Sequence, residues 1–476
     1  MAKLLFLQNL EYEFLGPMYI SSILKENGHQ CELKIGETLE EFEEAILDFK
    51  PDLVGFSIMT GSHEWARKIA NKIWQKYKIP NIFGGAHPTF FPEFLKEDGV
   101  QMIVKGEGEE AVLEILNRIE IGKNLEGVPN LLIKKTDETI SETPLRNLKS
   151  DMDFYPFPDR NLYDDLNGRL DRSVRNVITS RGCPFHCTFC FEDAMRDLYK
   201  DKGKYVRIRS IDKVIEECLR IKNETDARII YFADDVFGMS KKWLYEFLPI
   251  YKREVGLEFI CLVRADIVAS DKDYAKNLAA GGCKSVFFGI ESGNEDLRNL
   301  VLKKQLSNEQ IISASKYLHE AGIKFRTYNI LGLPGETLED AFSTLELNIE
   351  IEADYPWCSV FSPFPGTELT NYAFENGFLD DQFAYNSLSK SFFLDSTIQM
   401  PHIEQLENLQ KFFQTVVLFP KSLPLVKKLI KLKPNQLFTW WFGLVYFYVY
   451  LKSENRNFWE TFRFALRNFK HVLVKQ

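Results

Sequence analysis

Along residues 1–145, short apolar runs alternate with longer stretches in which apolar side chains recur every three to four positions. KLLFLQ, CELKI, DLVGFSIM, NIFGG and MIVKGE read as strands, and the stretches between them as amphipathic helices. This rhythm predicts an α/β domain with a doubly wound, flavodoxin-like parallel sheet, because parallel neighbours need a crossover helix. Ligands of such sheets lie beyond the C-terminal strand ends. Those ends carry Ser57, Thr60-Gly61-Ser62, Gly84-Gly85-Ala86-His87-Pro88-Thr89 and Gly106-Glu107-Gly108-Glu109, with glycines that let backbone approach a ligand.

Residues 129–143 read as a hairpin, and residues 146–172, with Pro156 and Pro158, as a linker. A second pattern fills residues 173–375, where NVITS, RIIYFADD, EFICLVRAD, SVFFGIES, KFRTYNILG and WCSVFSPF are strands, most of them followed by a helix-length segment. Six such units predict a partial (β/α)6 barrel of the TIM type, with its chemistry at the C-terminal strand ends. Residues 376–476 turn helical and aromatic. The run LFTWWFGLVYFYVYL at 437–451 is fifteen residues long. A spanning helix needs about 20, so an interfacial, re-entrant or buried helix is expected. Phe458, Phe462, Leu466, Phe469 and Leu473, interleaved with Arg463, Arg467 and Lys470, then form a basic amphipathic pattern. It suits either a membrane surface or a helix packed on the barrel with a solvated basic face.

A chain of 476 residues exceeds one hydrophobic core. Its 45% apolar and 27% charged residues exclude a disordered chain and a polytopic membrane protein. The 39 phenylalanines and 19 tyrosines point to large apolar cavities or contact surfaces. The net charge of −9 is unevenly spread, since residues 421–476 carry eleven Lys and Arg against Glu454 and Glu460. That segment is therefore +9 and residues 1–420 are −18. An anionic membrane surface or an acidic partner suits the tail, whereas the body is too acidic to clamp nucleic acid. MAKLLFLQNL lacks the long apolar region of a secretion signal, and a cytoplasmic protein, either free or peripheral at the membrane, is expected.

Eight cysteines in so long a chain do not make a disulfide scaffold. Cys183, Cys187 and Cys190 instead cluster in a CxxxCxxC loop directly after a strand. Three thiolates so close can hold three corners of an iron-sulfur cubane and leave the fourth iron open to a substrate. A structural zinc site is the alternative, with His186 inside the loop as a fourth ligand. Cys31, Cys218, Cys261, Cys283 and Cys358 are far apart and read as small buried residues.

The run Arg181-Gly182-Cys183-Pro184-Phe185-His186-Cys187-Thr188-Phe189-Cys190 resembles the signature of radical S-adenosylmethionine (SAM) enzymes. The resemblance implies a 4Fe-4S cluster whose open iron chelates SAM, and reductive cleavage of the sulfonium to a 5'-deoxyadenosyl radical. It implies an external electron donor such as flavodoxin or ferredoxin. It places Phe189 beside the adenine, Asp234 and Asp235 near the methionine amino group, Arg264 at its carboxylate, Glu291 and Ser292 at methionine or ribose, and Gly332, with Pro334 and Gly335, beside the adenine. Pro363 to Thr367 recurs in the same relatives. Helix capping for the aspartates, an ordinary ion pair for Arg264 and plain turns for the others are the structural alternatives.

The first domain, with GGAHPT and KGEGEEAV, resembles the cobalamin-binding domain of cobalamin-dependent radical SAM enzymes. The implied cobalamin set is Ser57, Thr60, Gly84, Gly85, His87, Gly106 and Glu107. The DxHxxG element that gives cobalt an axial histidine elsewhere is replaced by Asn9-Leu10-Glu11-Tyr12-Glu13-Phe14-Leu15-Gly16. The implied activity is methyl transfer to an unactivated carbon of a hydrophobic or lipid-like small molecule. Oxidative cyclisation or rearrangement of the tetrapyrrole-cyclase type is the enzymatic alternative, and a redox-sensing iron-sulfur protein without catalysis is a third.

Overall fold

The computed structural model describes every residue except 136–138, 165–171, 381, 384–387, 389–394, 455–458, 460–461 and 463–476. The expected basic amphipathic segment after residue 457 falls largely outside the described residues. The chain forms two compact units, one of Met1–Leu170 with Leu198–Lys204, the other of Asp171–Asp197 with Tyr205–Gln476.

The first unit runs β1 (Lys3–Gln8), α1 (Leu15–Glu26), β2 (Gln30–Ile35), α2 (Leu39–Phe49), β3 (Leu53–Ser57), α3 (His63–Tyr77), β4 (Asn81–Gly84), α4 (Ala86–Phe90), β5 (Met102–Val104), α5 (Glu109–Glu120), β6 (Leu131–Lys134) and β7 (Ile140–Glu142). The sheet order is β2-β1-β3-β4-β5-β6-β7, with the first five strands parallel and the last two antiparallel. The continuous apolar run of β1 is explained by burial on both faces. Leu4 and Phe6 enter a core with Met18 and Ile115, while Leu5 and Leu7 enter another with Phe42 and Ile69. Residues around Asp159 and Tyr163 pack on this unit too. The Tyr163 hydroxyl donates to Gln8 Oε1 at 2.9 Å, and Asp159 accepts from Ser21 and Lys25 at 2.6 Å each.

The second unit runs β8 (Val174–Val177), β9 (Ser180–Arg181), α6 (Phe191–Leu198), β10 (Arg207–Ile208), α7 (Ile211–Glu224), β11 (Ile229–Phe232), α8 (Lys241–Glu254), β12 (Glu258–Leu262), α9 (Ala265–Ala269), α10 (Lys272–Gly281), β13 (Cys283–Glu291), α11 (Asn308–Glu320), β14 (Lys324–Leu331), α12 (Leu338–Glu350), β15 (Tyr355–Val360), α13 (Glu368–Glu375), α14 (Ile403–Leu418), α15 (Leu423–Leu429) and α16 (Gln436–Glu454). Six parallel strands in the order β15-β14-β13-β12-β11-β8 build the expected partial barrel. Ser210, Ser240, Asp271, Ser307 and Thr337 start the crossover helices by accepting a backbone N–H two or three residues on. The helix-facing side of the sheet joins the largest core. The opposite side carries a separate cluster of Ile229, Ile260 and Phe287 with Tyr231, Leu262 and Tyr328 against it.

Strand β15 is an edge, and α14 and α16 cover it. The Gln410 side-chain amide donates to Cys358 O at 2.9 Å, occupying an acceptor that another strand would otherwise use. Phe438 of α16 packs on Phe412 at 4.8 Å, and Tyr446 on Trp357 at 4.8 Å. The aromatic run at 437–451 is thus one helix with a packed face and an exposed face. Among the described residues, no helix is long and apolar enough to cross a membrane.

Candidate functional site

The cysteine loop leaves β8 through Ile178, and its first anchor is Asp234 at the end of neighbouring β11. Asp234 Oδ1 accepts from the Thr179 N–H at 2.9 Å, the Thr179 hydroxyl at 2.9 Å and the Ser180 hydroxyl at 2.6 Å. Gly182 turns the chain at φ 84°, where an added Cβ would stand 2.7 Å from Tyr205 O. Farther along, the Thr188 N–H donates to Leu302 O at 3.1 Å and its hydroxyl to Val301 O at 2.8 Å. Arg196 of α6 reaches back to Phe185 O at 2.8 Å and Cys183 O at 3.4 Å while pairing with Asp193 at 2.5 Å. The loop is therefore held wrapped from both sides.

Cys187 is buried and Cys183 and Cys190 are half-buried. Burial pushes the Cys183 thiol up to about 11 and Cys190 up to about 12, and raises Cys187 as well. A cationic cluster at this point is what would hold them as thiolates. His186 turns outward, exposed, with Nδ1 2.9 Å from Asp193 Oδ1, so it is not a fourth ligand in this arrangement. Three thiols on one clamped loop, with the loop histidine turned away, are the donor set of a cubane with one open iron. Among the described residues, no three His, Cys, Asp or Glu side chains converge on a single metal ion. The other five cysteines are all buried.

Around the loop, the strand ends gather most of the expected residues. Asp234 is buried, desolvation pushes it up to about 6, and its Oδ2 has no protein partner. Asp235 stands at the rim, where desolvation, then the Glu192 carboxylate and Asp234, push it up to about 7. Two carboxylates sharing a rim fit a primary ammonium. Arg264 is buried, stacks on Phe185 at 3.6 Å, and forks onto Asp266 at 3.0 and 3.2 Å. It also donates to Lys304 O at 2.9 Å.

Glu291 breaks the β13 register at φ 65° and pairs with Lys304 at 2.5 Å, both of them buried. Lys304 lies 5.6 Å from the Phe189 ring. Ser292 is buried, and its carbonyl accepts from the fully buried Arg298 at 2.6 Å. Gly332, at φ 77°, donates its N–H to Glu336 Oε2 at 2.5 Å. Burial pushes Glu336 up to about 8, and its Oε1 has no partner. Sequence reading did not single out Glu192, Arg196, Lys304 or Glu336. Only Glu336 carried a signal, as the last acidic residue of the LGLPGE turn.

In the first unit, the ends of β3 and β4 are neighbours, with Ser57 in register with Gly84. An added Cβ at Gly84 would meet only Val104 O at 3.9 Å, so backbone there is open to a large ligand. Gly85, at φ 96°, must be glycine because a Cβ would stand 2.6 Å from Ile58 O. These open and nested glycines fit a flat cofactor lying on the strand ends. His87 is buried, 3.0 Å from the Thr60 hydroxyl and stacked on His63 at 4.2 Å, and desolvation holds it down to about 3. It backs Thr60 as a neutral ring. The cradle of Gly106 (φ 77°) is filled by the Tyr199 hydroxyl, which accepts the Glu107 N–H at 2.7 Å.

Residues 177–347 match the family described as the radical SAM superfamily, and residues 9–116 match the B12 binding domain. An uncharacterised methyltransferase of Pyrococcus horikoshii is 29% identical over 86% of this chain and 88% of its own length. An anaerobic magnesium-protoporphyrin IX monomethyl ester cyclase of Rubrivivax gelatinosus is 26% identical, covering 69% of this chain and 60% of its own. The radical SAM methyltransferase TsrM of Kitasatospora setae shares the fold, with a TM-score of 0.68 at 18% identity over 79% of this chain and 76% of its own. A second structure of TsrM holds cobalamin and a 4Fe-4S cluster.

Proposed function

We propose that this chain, which belongs to the cobalamin-dependent radical SAM enzymes, transfers a methyl group to an unactivated carbon of a hydrophobic, lipid-like small molecule. The observation that carries the reading is the clamped three-cysteine loop in a chain that also holds a B12 binding domain. When bound, the cluster with SAM supplies a hydrogen-abstracting radical, and cobalamin supplies a methyl carrier.

The protein's part is to hold, orient and shield. Cys183, Cys187 and Cys190 would ligate the cluster, with Arg196 and Thr188 keeping the loop closed. Asp235, Glu192 and the open Oδ2 of Asp234 suit the ammonium of SAM. Arg264, Glu291, Ser292, Gly332 and Phe189 would frame the rest, with Lys304 holding Glu291 in place. Ser57, Thr60, Gly84 and Gly85 would carry cobalamin, with His87 behind Thr60 and with Gly106 and Glu107 fixed by Tyr199.

The enzyme acts on a small molecule and takes its electron from a reductant partner. A hydrophobic substrate is supported by the aromatic inner face of the barrel, where Tyr231, Leu262, Tyr328 and Trp357 are only partly buried although they lie within the sheet. Peripheral membrane association is supported by the basic C-terminal segment.

The test uses anaerobically purified protein reconstituted with iron, sulfide and cobalamin, then reduced with SAM bearing a labelled methyl group. Formation of 5'-deoxyadenosine and label transfer, both lost in Cys187→Ala, are expected. The cyclase relative motivates oxidative cyclisation as the second reading, which 5'-deoxyadenosine without S-adenosylhomocysteine would favour. A full cluster that never cleaves SAM across a panel of apolar substrates would remove both.

A further inference from the structure

Helix α16 has two unlike faces. Phe438, Phe442, Val449 and Ser453 are buried on one, and Tyr446 on that side packs against Trp357 of the barrel. On the other, Leu437 is 78% exposed, Trp440 70% and Leu444 69%, and Trp441 and Tyr448 are exposed beside them. At 3.6 residues per turn these five positions fall within a single stripe roughly 100° wide. A soluble helix normally presents polar side chains there, and a contiguous apolar stripe marks an interaction surface.

Charge identifies the occupant. Residues 408–453 contain seven lysines and no Asp, Glu or Arg, in a chain whose net charge is −9. Lys421, Lys427, Lys428, Lys431 and Lys433 are exposed in the segment leading into α16, beside exposed Phe419, Leu425 and Leu432. Tryptophan and tyrosine with leucine on one face, fed by lysines, match the boundary between lipid headgroups and acyl chains. α16 is not apolar enough to cross, so it would lie in the plane of the interface.

We propose that the outer stripe of α16, with the lysines preceding it, docks the enzyme on an anionic phospholipid bilayer. This rests on the reading of peripheral association given above and assigns its residues and lipid class. The docked helix is also the one whose inner face touches the barrel through Tyr446, so docking brings the edge of the substrate barrel to the lipid surface.

The test is flotation of the full-length holoenzyme with vesicles of pure phosphatidylcholine and of phosphatidylcholine with one-third phosphatidylglycerol. Binding to the anionic vesicles at least tenfold above the neutral ones, lost in Leu437→Ser/Trp440→Ser/Leu444→Ser and weakened by Lys421→Glu/Lys431→Glu/Lys433→Glu, is expected. Each variant should melt as the parent does and still form 5'-deoxyadenosine in vesicle-free buffer. No flotation, or flotation that the triple serine variant keeps, overturns the proposal. So does a dimer by light scattering that the serine variant converts to monomer, because the stripe would then be covered by a second copy. Flotation needs no turnover, so this failure stays separate from failure of the methyl-transfer reading.

Discussion

Glu291 meets Lys304 at 2.5 Å from a left-handed backbone, directly over Gly289, where an added Cβ would collide with the Glu291 carboxylate and stand 2.5 Å from Lys304 Nζ. A non-glycine residue at positive φ stores strain of about 1–3 kcal/mol and persists only where its surroundings insist on it. Here the insistence comes from a buried ion pair beside the cysteine loop.

Removing one partner leaves a buried charge uncompensated, which costs about 3–5 kcal/mol. Lys304→Met is therefore expected to lower the melting temperature and cut 5'-deoxyadenosine formation at least tenfold, with Gly289→Ala close behind. Thermal melts and product chromatography check this. Unchanged turnover in Gly289→Ala would show that the pair only fills space.

Arg196 holds two carbonyls of the cysteine loop, those of Cys183 and Phe185. Arg196→Ala is expected to lose about half or more of the iron and sulfide bound per chain, since charged hydrogen bonds of this kind are worth about 1.5–3 kcal/mol. Arg196→Lys should recover part of it. Colorimetric iron and sulfide on anaerobic protein decide the matter, and full loading in the alanine variant refutes it.

Glu336 gives a pH signature. Its carboxyl moves from an ordinary 4.5 up to about 8 through burial. Below 4.5 both folded and unfolded chains hold the proton, and between 4.5 and about 8 only the folded chain does. Stability therefore falls as pH rises through that window, by about 1.4 kcal/mol per pH unit at the steepest. Glu336→Gln keeps an acceptor for the Gly332 N–H without the charge. Melting temperatures from pH 5 to 8 should flatten in the variant relative to the parent, and parallel curves would reject the assignment.

Tyr199 and Gly106 should behave as a unit. Tyr199→Phe removes an acceptor from the Glu107 N–H, at about 1 kcal/mol, and should loosen cobalamin retention severalfold. Gly106→Ala meets both a positive φ and the tyrosine, and is expected to lose cobalamin outright. The double variant should regain some of it. Cobalamin absorbance after gel filtration reads all three, and additive losses would argue against coupling.

Both sheets were legible because parallel strands buried on both faces leave uninterrupted apolar runs such as KLLFLQ and SVFFGIES. The cysteine loop was legible because chain-local spacing defines it. Lys304 was hidden for the opposite reason. It sits in a loop between Lys303 and Gln305, both at positive φ, and only folding brings it to Glu291. Tyr199 was hidden because it joins the first unit after the chain has entered the second, which no local pattern reveals. The expectation for the 437–451 run left three outcomes open, since an all-round apolar helix has no periodicity to say which face is covered.

The edge of β15 is closed by a glutamine side chain and a helix rather than by another strand. A strand added there would have to keep hydrogen-bond register with a sheet of six others, so each change to it would disturb the whole barrel. A helix face has no such obligation. Substitutions at Phe442, Tyr446 or Tyr450 can reshape the side of the barrel while the strand ends that hold the cysteine loop stay where they are. The architecture thereby leaves that side of the barrel free to change independently of the loop that carries the three cysteines.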